Sequence, residues 1–403
     1  MSNRPPVNDW TIDFDHFDPQ WTEDPYKIWD ELRQQCPIAT SQRFEDGAYL
    51  PTRYADVYAI AYDTEHFSSR RAVLREKKLP LALISAPPIT SDPPEHTPAR
   101  KLLLPAFSPT EIAKLEPQIR STCKSLLESL KERDQFDAAT EYAQHIPARV
   151  VAHMFGVDDK YGDQFRDWIY RILIEGVHNP AASMGAIKEQ DVFFKELIEL
   201  RKKNPGSDLV SFLLKATMNE EPLTEHHILG TLRLLLIAGV DTTWSAIGAS
   251  IWHLATHPED RRRLLKEPEL LPTAIEEFLR AYSPSTHTRE VVKETTVAGC
   301  PFKELGQVLM SYPAANRDPE KFEDAHKVKI DRAINPHAAF GLGRHRCMGS
   351  NLARLEMTIA IEEWLKFFPE FEETKGQKTT WSSGTVRGPR YLPITILESK
   401  ALD

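Results

Sequence analysis

A long stretch without proline, from Glu225 to Thr256, constrains the fold of this chain more than any other feature. At a rise of about 1.5 Å per residue, this stretch predicts one helix that is about 45–50 Å long. Between residues 109 and 278 the apolar side chains recur with a helical period, as in Phe193, Leu197 and Leu200. The chain is therefore predicted to be mainly α-helical.

Short segments between the helices predict small β-sheets. Residues 37–40 and 47–50 alternate like two strands around a turn. The other predicted elements are strands over residues 291–297 and 307–312, a closing pair of strands over residues 379–381 and 391–397, and helices over residues 24–35 and 347–368. No repeat or Gly/Ser linker interrupts the chain, so we expect one large domain over residues 1–403 without a fused reductase.

The composition limits the partners and the location of the chain. Lys and Arg number 50 against 59 Asp and Glu, a net charge of −9, whereas duplex nucleic acid requires a basic binding face. The apolar run at residues 234–240 is far shorter than a membrane span of roughly 20 residues. The N-terminus lacks the apolar core of a signal peptide. We therefore expect a cytoplasmic protein that binds neither nucleic acid nor membrane.

The four cysteines show no common spacing: Cys36, Cys123, Cys300 and Cys347 are scattered without a C-x-x-C motif. A disulfide scaffold or a zinc site is therefore not expected. A lone cysteine in a reducing compartment is usually a buried apolar residue. Cys347 differs from the other three because of the residues around it.

The segment around Cys347, residues 340–349, reads Phe-Gly-Leu-Gly-Arg-His-Arg-Cys-Met-Gly. Its first two glycines allow a tight turn. Cys347 then falls at the start of a predicted helix, where unpaired N–H groups and the positive helix end favour a thiolate. Arg344 and Arg346 act in the same direction. Such a thiolate suits a metal ligand pressed against a flat ring, and the alternative is a buried cysteine after a turn.

One face of the predicted central helix carries small residues. Ala238 and Thr242 lie on this face, which lets a large flat group approach the backbone. Thr242 can donate a hydrogen bond to the Ala238 carbonyl, and Thr243 to the Gly239 carbonyl. The alternative is a helix-packing face with a polar interruption, although a buried Asp241 beside Thr242 needs partners.

These segments, with the spacing F-x-x-G-x-x-x-C-x-G in the first, resemble the cytochrome P-450 family of heme-thiolate monooxygenases, over nearly the whole chain. The resemblance implies the P-450 fold, mainly α with small β-sheets. A heme b (iron protoporphyrin IX) is then expected between the long central helix and the helix of the cysteine ligand. By the same resemblance, Cys347 is the axial ligand of the heme iron, Phe340 lies beside the heme ring, and Ala238 and Gly349 line the cofactor site.

The resemblance also implies which groups move protons and which hold the heme carboxylates. Asp241 and Thr242 match the proton-delivery pair of the oxygen-binding groove, with Asp241 relaying protons from solvent. The heme propionates are expected to bind to four basic residues, namely His96, Arg100, Arg289 and His345. Arginine forks suit carboxylates, and for any one of these residues the alternative is a solvated basic face.

Glu277 and Arg280 form an E-x-x-R pair on one helix face. An isolated pair of this kind is usually a surface ion pair, but beside the Cys347 segment it matches the structural core pair of the family. The family usually adds a third basic residue from a later segment, which here reads Ala-His-Lys-Val at residues 325–328. His326 or Lys327 can take this role, and the sequence leaves the choice open.

The resemblance places the substrate pocket among mostly apolar residues. Its expected walls are Ile84, Ile89, Leu234, Ile237, Ser285, His287 and Val386. Such a lining suits a small or medium apolar or aromatic molecule, although each of these residues fits the core equally well. Trp244 lies on the opposite side of the helix from Thr242, so we expect it to pack in the core.

The predicted function is insertion of one oxygen atom from O2 into such a substrate, by hydroxylation or O-dealkylation. Electrons from NAD(P)H are expected to arrive through a reductase and a separate ferredoxin-type or flavodoxin-type donor, and the enzyme is expected to be a monomer. Arg344, Arg346 and Lys101 can steer an acidic ferredoxin, or they merely support the thiolate.

Two other functions remain open on the sequence. A peroxide-driven peroxygenase of the same fold is disfavoured because Asp241 and Thr242 are both present. A non-catalytic heme sensor would need an output domain, which the sequence does not suggest.

Overall fold

The structure, a computed structural model, describes residues 4–397. Its α-helices are α1 Pro19–Glu23, α2 Pro25–Gln35, α3 Tyr54–Tyr62, α4 Leu81–Ile84, α5 His96–Leu103, α6 Pro109–Ala113, α7 Glu116–Leu130, α8 His145–Phe155, α9 Gly162–Tyr170, α10 Gly176–His178, α11 Pro180–Lys203, α12 Leu209–Lys215, α13 Glu225–Thr256, α14 Pro258–Lys266, α15 Leu271–Ala281, α16 Tyr312–Ala315 and α17 Ser350–Phe367. Its strands are β1 Ile38–Ser41, β2 Ala48–Pro51, β3 Phe67–Ser68, β4 Gln135–Asp137, β5 Thr217–Met218, β6 Glu221–Pro222, β7 His287–Val291, β8 Thr295–Val297, β9 Cys300–Phe302, β10 Gln307–Met310, β11 Phe371–Glu373, β12 Thr380–Trp381, β13 Pro389–Tyr391 and β14 Pro393–Ile396.

The central helix α13 has the bounds that the absence of proline predicts. It begins where the Thr224 hydroxyl accepts a hydrogen bond from the His227 N–H. By length and composition alone this helix could cross a membrane, but 61% of its most apolar window is buried inside the protein. It packs against α8 and α17 in the helical core. The prediction of a mainly α fold with small sheets is confirmed.

The largest sheet has the strand order β1-β2-β10-β7-β3. β1 and β2 pair antiparallel, with Ala39 opposite Leu50, as the alternation of these residues predicts. β10 runs parallel to β2 and antiparallel to β7, which places Val308 opposite Arg289. This register holds Arg289 in a buried position.

The prediction of one strand over residues 291–297 is wrong. β7 ends at Val291, and the chain bends before β8 begins at Thr295. Ala298 and Gly299 then have φ angles of 50° and 81°, which is the left-handed conformation that a tight hairpin requires. β8 therefore pairs with β9 in a separate small sheet.

Two other predicted strands also end early. The strand predicted over residues 307–312 stops at Met310, because Tyr312 already begins α16. Residues 391–397 divide between two sheets: β13 pairs with β12 as predicted, whereas β14 pairs with β11 and β4. Pro393 begins β14, where its missing N–H costs no ladder hydrogen bond.

The helix after Cys347 begins later than predicted. α17 starts at Ser350, because the Cys347 N–H donates to the Phe340 carbonyl at 2.7 Å across the preceding loop. Cys347 therefore belongs to the loop, three residues before the helix.

Glu277 and Arg280 form a fully buried ion pair on α15, with both hydrogen bonds at 2.8 Å. The third basic residue is Arg332, whose Nε donates to Glu277 at 2.9 Å. Neither His326 nor Lys327 takes this role, because their side chains lie on the surface beside other acids. Of these two residues, Lys327 alone contacts the ion pair, through its backbone carbonyl, which accepts a hydrogen bond from Arg280 at 2.8 Å.

Candidate functional site

A large cavity lies between α13, the loop that carries Cys347, the segment at residues 71–90 and the turn at residues 385–386. Its wall contains all seven residues that the sequence suggests for the substrate pocket: Ile84, Ile89, Leu234, Ile237, Ser285, His287 and Val386. It also contains Arg100, Ala238, Thr242, Phe340, His345, Cys347 and Gly349. Three predicted site residues are not part of this wall: the His96 ring lies 4.3 Å from the His345 ring, Arg289 lies close enough to His345 to lower its pKa, and Asp241 pairs with Arg390.

The Cys347 loop is shaped by two glycines. Gly341 and Gly343 have φ angles of 71° and 65°. A Cβ on Gly343 would lie 2.7 Å from the carbonyl oxygen of Ala61 in α3, so only glycine allows this close approach. The loop is thereby held against α3, and the Cys347 side chain opens into the cavity.

The surroundings of the Cys347 thiol act on its pKa in opposite directions. Burial raises the pKa above its ordinary value, whereas the Gly349 N–H and the guanidinium groups of Arg100 and Arg346 lower it. The backbone N–H and the arginines thus act in the predicted direction, toward the thiolate, and burial opposes them.

Four basic groups converge beside the Cys347 loop. The His96 and His345 rings lie 4.3 Å apart, and both nitrogens of His96 and Nε2 of His345 are buried without a hydrogen-bond partner. Burial, Arg289, His96 and Arg100 together lower the pKa of His345 to about 2. Burial and Arg100 also lower the pKa of His96. Such a cluster needs an anionic partner.

The residues of the cavity fit a heme. An anion with two carboxylates satisfies the orphaned imidazole nitrogens beside Arg100 and Arg289. Within residues 4–397 no group of three or more His, Cys, Asp or Glu side chains could hold a metal ion. Cys347 is the cysteine that lines this cavity, and α13 contributes Ala238 and Thr242 to the same wall, which are small enough for a flat ring.

Thr242 and Thr243 of α13 are adjacent hydroxyls with different partners. Thr242 Oγ1 donates to the Ala238 carbonyl at 2.9 Å, as predicted from its position. Thr243 is expected to bond to the Gly239 carbonyl, but its hydroxyl instead faces Glu356 and lowers the pKa of that carboxyl. Thr242 therefore bonds within its own helix, whereas Thr243 faces the Glu356 carboxyl of α17.

Asp241 is buried against a residue that the sequence reasoning missed. Arg390 of β13 donates to it at 2.7 Å, lies 4.1 Å over the Trp244 ring and contacts the Ser245 hydroxyl. Burial raises the pKa of Asp241, and Arg390 opposes this rise. Asp241 is therefore buried with a partner, as its position in the central helix predicts, and Arg390 covers its carboxylate. Nothing in the local sequence distinguishes Arg390 from a surface arginine.

Glu356 is a second missed acid. It lines the cavity from α17, and the Thr243 hydroxyl is the one group that lowers its pKa. Burial raises its pKa well above the ordinary value. A helical period from Leu352 through Glu356 to Ile359 places it on the buried face of α17, which is the signal that could have found it.

The comparisons with known proteins agree with this geometry. A family model described as Cytochrome P450 matches residues 16–390. The chain belongs to the cytochrome P450 family. Among its P450 relatives, mycinamicin IV hydroxylase/epoxidase of Micromonospora griseorubida is 32% identical over 374 residues, 90% of this chain and 94% of the relative. 6-Deoxyerythronolide B hydroxylase of Saccharopolyspora erythraea is 29% identical over 405 residues, 96% of this chain and 98% of the relative.

The P450 fold is also seen in solved structures. CYP109E1 from Bacillus megaterium, in complex with testosterone, has a TM-score of 0.86 and 32% identity, and the match covers 93% of this chain and 98% of that one. The named relatives are hydroxylases and epoxidases, so this chain is an oxidoreductase of the bacterial P450 monooxygenases. The predicted family, fold and enzyme class are thereby confirmed, and the family implies a heme.

The buried Asp241–Arg390 pair predicts a pH-dependent loss of stability when the arginine is removed. A carboxyl whose pKa is raised on folding binds its proton more tightly in the folded state, so the free energy of unfolding falls as the pH rises through this range. We expect Arg390→Met to raise the pKa of Asp241 further and to cost about 3 kcal/mol of unfolding free energy, with a larger loss at about pH 8 than at about pH 5. Urea denaturation at the two pH values measures this.

Adding Asp241→Asn to Arg390→Met should recover part of the loss at the higher pH, because no uncompensated charge is then buried. Arg387→Met is the control, since Arg387 lies in the same hairpin, 4.5 Å over Trp381, and does not bond to Asp241. Equal losses at both pH values, with no recovery in the double variant, would show that the pair does not set the charge of Asp241.

Proposed function

We propose that this chain is a heme-thiolate monooxygenase in which Cys347 is the axial ligand of heme b. It inserts one oxygen atom from O2 into a small or medium apolar or aromatic substrate, by hydroxylation or O-dealkylation. The observation that carries this proposal is that the Cys347 thiol opens into the same cavity that Ala238 and Thr242 of α13 line. The protein acts as a cytoplasmic monomer.

When bound, the heme supplies the oxidising chemistry of the reaction. The chain holds and orients it. His96, Arg100, Arg289 and His345 bind the two heme carboxylates, which explains why these basic groups converge without hydrogen-bonding to an acid of their own. Phe340 lies beside the ring, braced by the Arg354 guanidinium at 4.5 Å from its centroid.

Proton delivery belongs to Thr242 and Asp241 in this proposal. The Thr242 hydroxyl lies on the cavity wall and donates a hydrogen bond to the Ala238 carbonyl, so its oxygen can accept a hydrogen bond while its O–H turns from that carbonyl to donate into the cavity. Asp241 is the adjacent acid. It reaches solvent only when the ion pair with Arg390 opens, because Asp241 is 3% exposed in the closed pair.

The apolar wall selects the substrate. Six of its aliphatic residues line the space around Thr242 and leave few polar contacts: Ile84, Ile89, Leu234, Ile237, Leu279 and Val386. The testosterone bound by the Bacillus megaterium relative is likewise a largely apolar molecule. The wall therefore supports an apolar substrate, held mainly by burial of its surface.

The experiment that tests the proposed function is the spectrum of the reduced carbon-monoxide complex. A thiolate ligand donates strongly to iron, so the wild type should show the red-shifted Soret band that marks this ligand. Cys347→His should lose the band and most activity, whereas Cys36→Ala, Cys123→Ala and Cys300→Ala should keep it. A normal band in Cys347→Ala would overturn the assignment.

A second test separates oxygen activation from a structural role of the α13 pair. Thr242→Ala should bind heme and substrate normally yet release more hydrogen peroxide per electron consumed, because a proton donor is lost. Asp241→Asn should slow turnover by roughly 10²-fold or less, since an amide does not relay protons. Steady-state oxygen, NAD(P)H and peroxide measurements give both values.

Thr256→Ala is the matched control for Thr242→Ala. Its hydroxyl also donates to a carbonyl four residues earlier, Trp252, at 2.9 Å, but it lies at the end of α13. This variant should remain fully coupled. If Thr242→Ala and Asp241→Asn also kept wild-type turnover and coupling, another proton route would be required.

Electron delivery is proposed to come from a separate ferredoxin-type or flavodoxin-type protein with its reductase. Arg344, Arg346 and Lys101 are exposed on the segments around the cysteine, and they give an acidic protein a local basic surface.

Turnover with a ferredoxin pair should fall as salt rises, and Arg344→Gln and Lys101→Gln should lower kcat/KM for the ferredoxin. Lys375→Gln, a change at an exposed lysine outside these segments, should not. A rate of reduction by the ferredoxin that does not change with salt would contradict electrostatic steering by this basic surface.

A further inference from the structure

Arg75 is a deeply buried cation on the wall of the substrate cavity. It is 6% exposed and belongs to the segment at residues 71–90 that closes the cavity. Its backbone is fixed on both sides by Gln307, whose side chain accepts from the Arg75 N–H and donates to the Arg75 carbonyl. The position of this side chain is therefore set by the fold.

The Arg75 guanidinium bonds only to neutral acceptors. Nη1 donates to the Gly176 carbonyl at 2.7 Å, and Nη2 donates to the Ile172 carbonyl at 3.1 Å and to the Ser183 hydroxyl at 3.3 Å. These bonds use three of the five N–H donors of a guanidinium. They leave its positive charge without a carboxylate.

The other cations on this wall are compensated. Three of them have an acid partner, namely Arg71 with Glu290, Lys78 with Asp46 and Arg233 with Asp191. Arg100 lies in the cluster that the heme carboxylates are proposed to fill. For Arg75 no ion pair with an acid is found within residues 4–397, and burial lowers its pKa to about 10 with no acid opposing the shift. A buried cation in this state favours an anionic ligand.

We propose that Arg75 binds the carboxylate of the substrate, so that the substrate is an organic acid with an apolar body. The inference deepens the proposed function and rests on it, because it places the acid group at Arg75 and the apolar body along the aliphatic wall. A planar carboxylate accepts hydrogen bonds from a guanidinium fork in a defined geometry. Arg75 thereby fixes the acidic end of the substrate at the segment of residues 71–90.

The competing explanation gives Arg75 a structural role only. Ile172 lies in the π-helical turn that follows α9, Gly176 begins α10, and Ser183 lies in α11. In that case Arg75 simply joins the segment at residues 71–90 to these helices. Its removal would then weaken the binding of every ligand, whether acidic or neutral.

The test compares an acid with a neutral molecule of the same length. Dodecanoate and dodecan-1-ol are titrated into the heme-loaded full chain by isothermal titration calorimetry, with wild type, Arg75→Gln and Arg75→Lys. We expect wild type to bind dodecanoate about 10-fold or more tightly than the alcohol, because hydrogen bonds to charged groups are the stronger ones. Arg75→Gln should remove this difference by weakening acid binding alone, and Arg75→Lys should retain part of it.

Arg233→Gln is the matched control. Arg233 is also a buried cation of the wall that donates to backbone carbonyls, of Leu83 and Ser85, but it is paired with Asp191. This variant should preserve the preference for the acid. Equal affinities of wild type for acid and alcohol, no binding of the acid, or equal losses for both ligands in Arg75→Gln would overturn the proposal.

Calorimetry keeps this result separate from that of the proposed function. It reports binding without depending on the heme spectrum, whereas the identity of the iron ligand is read from the carbon-monoxide complex. A preference for dodecanoate together with a carbon-monoxide spectrum unaffected by Cys347→Ala would retain the Arg75 site and reject the heme-thiolate assignment.

Discussion

The convergence of buried basic groups without an acid bonded to them is the constraint on which the site depends. His96 comes from α5, Arg289 from β7 and His345 from the Cys347 loop, so three separate parts of the chain bring basic side chains together. Burial and the neighbouring arginines lower the pKa of both imidazoles and disfavour their protonation. A ligand with two carboxylates supplies the missing negative charge, and a heme carries two such groups. The cluster therefore turns the binding of the cofactor into part of the stability of the fold.

The Glu277 cluster holds the other side of the same loop. Arg280 and Arg332 bond to Glu277, and Arg280 also donates to the carbonyls of Asn316 and Ala325. These bonds anchor the irregular segment that leads into the Cys347 loop, where regular secondary structure is sparse. A buried charge network is thus used where backbone hydrogen bonds alone do not fix the chain. Its role is structural, and it keeps the cysteine in a defined place.

The sequence predicted those features of the fold that are decided by residues close together in the chain. The absence of proline and the Thr224 cap fix the ends of α13, and the two glycines of the Cys347 loop fix its turn. Partners from distant parts of the chain could not be predicted, because nothing near Arg332 or Arg390 in the sequence indicates which acid it meets. The predicted ends of the strands were wrong for a similar reason, because pairing with a neighbouring strand, rather than residue preference, decides where each strand stops.

The central claim is that one bound heme contacts both Cys347 and the four basic residues. A crystal structure of the heme-loaded protein tests it most directly. We predict that the Cys347 sulfur is the iron ligand and that both heme carboxylates contact the group formed by His96, Arg100, Arg289 and His345. A structure in which the carboxylates lie away from these four residues, or in which another side chain binds the iron, would contradict the account.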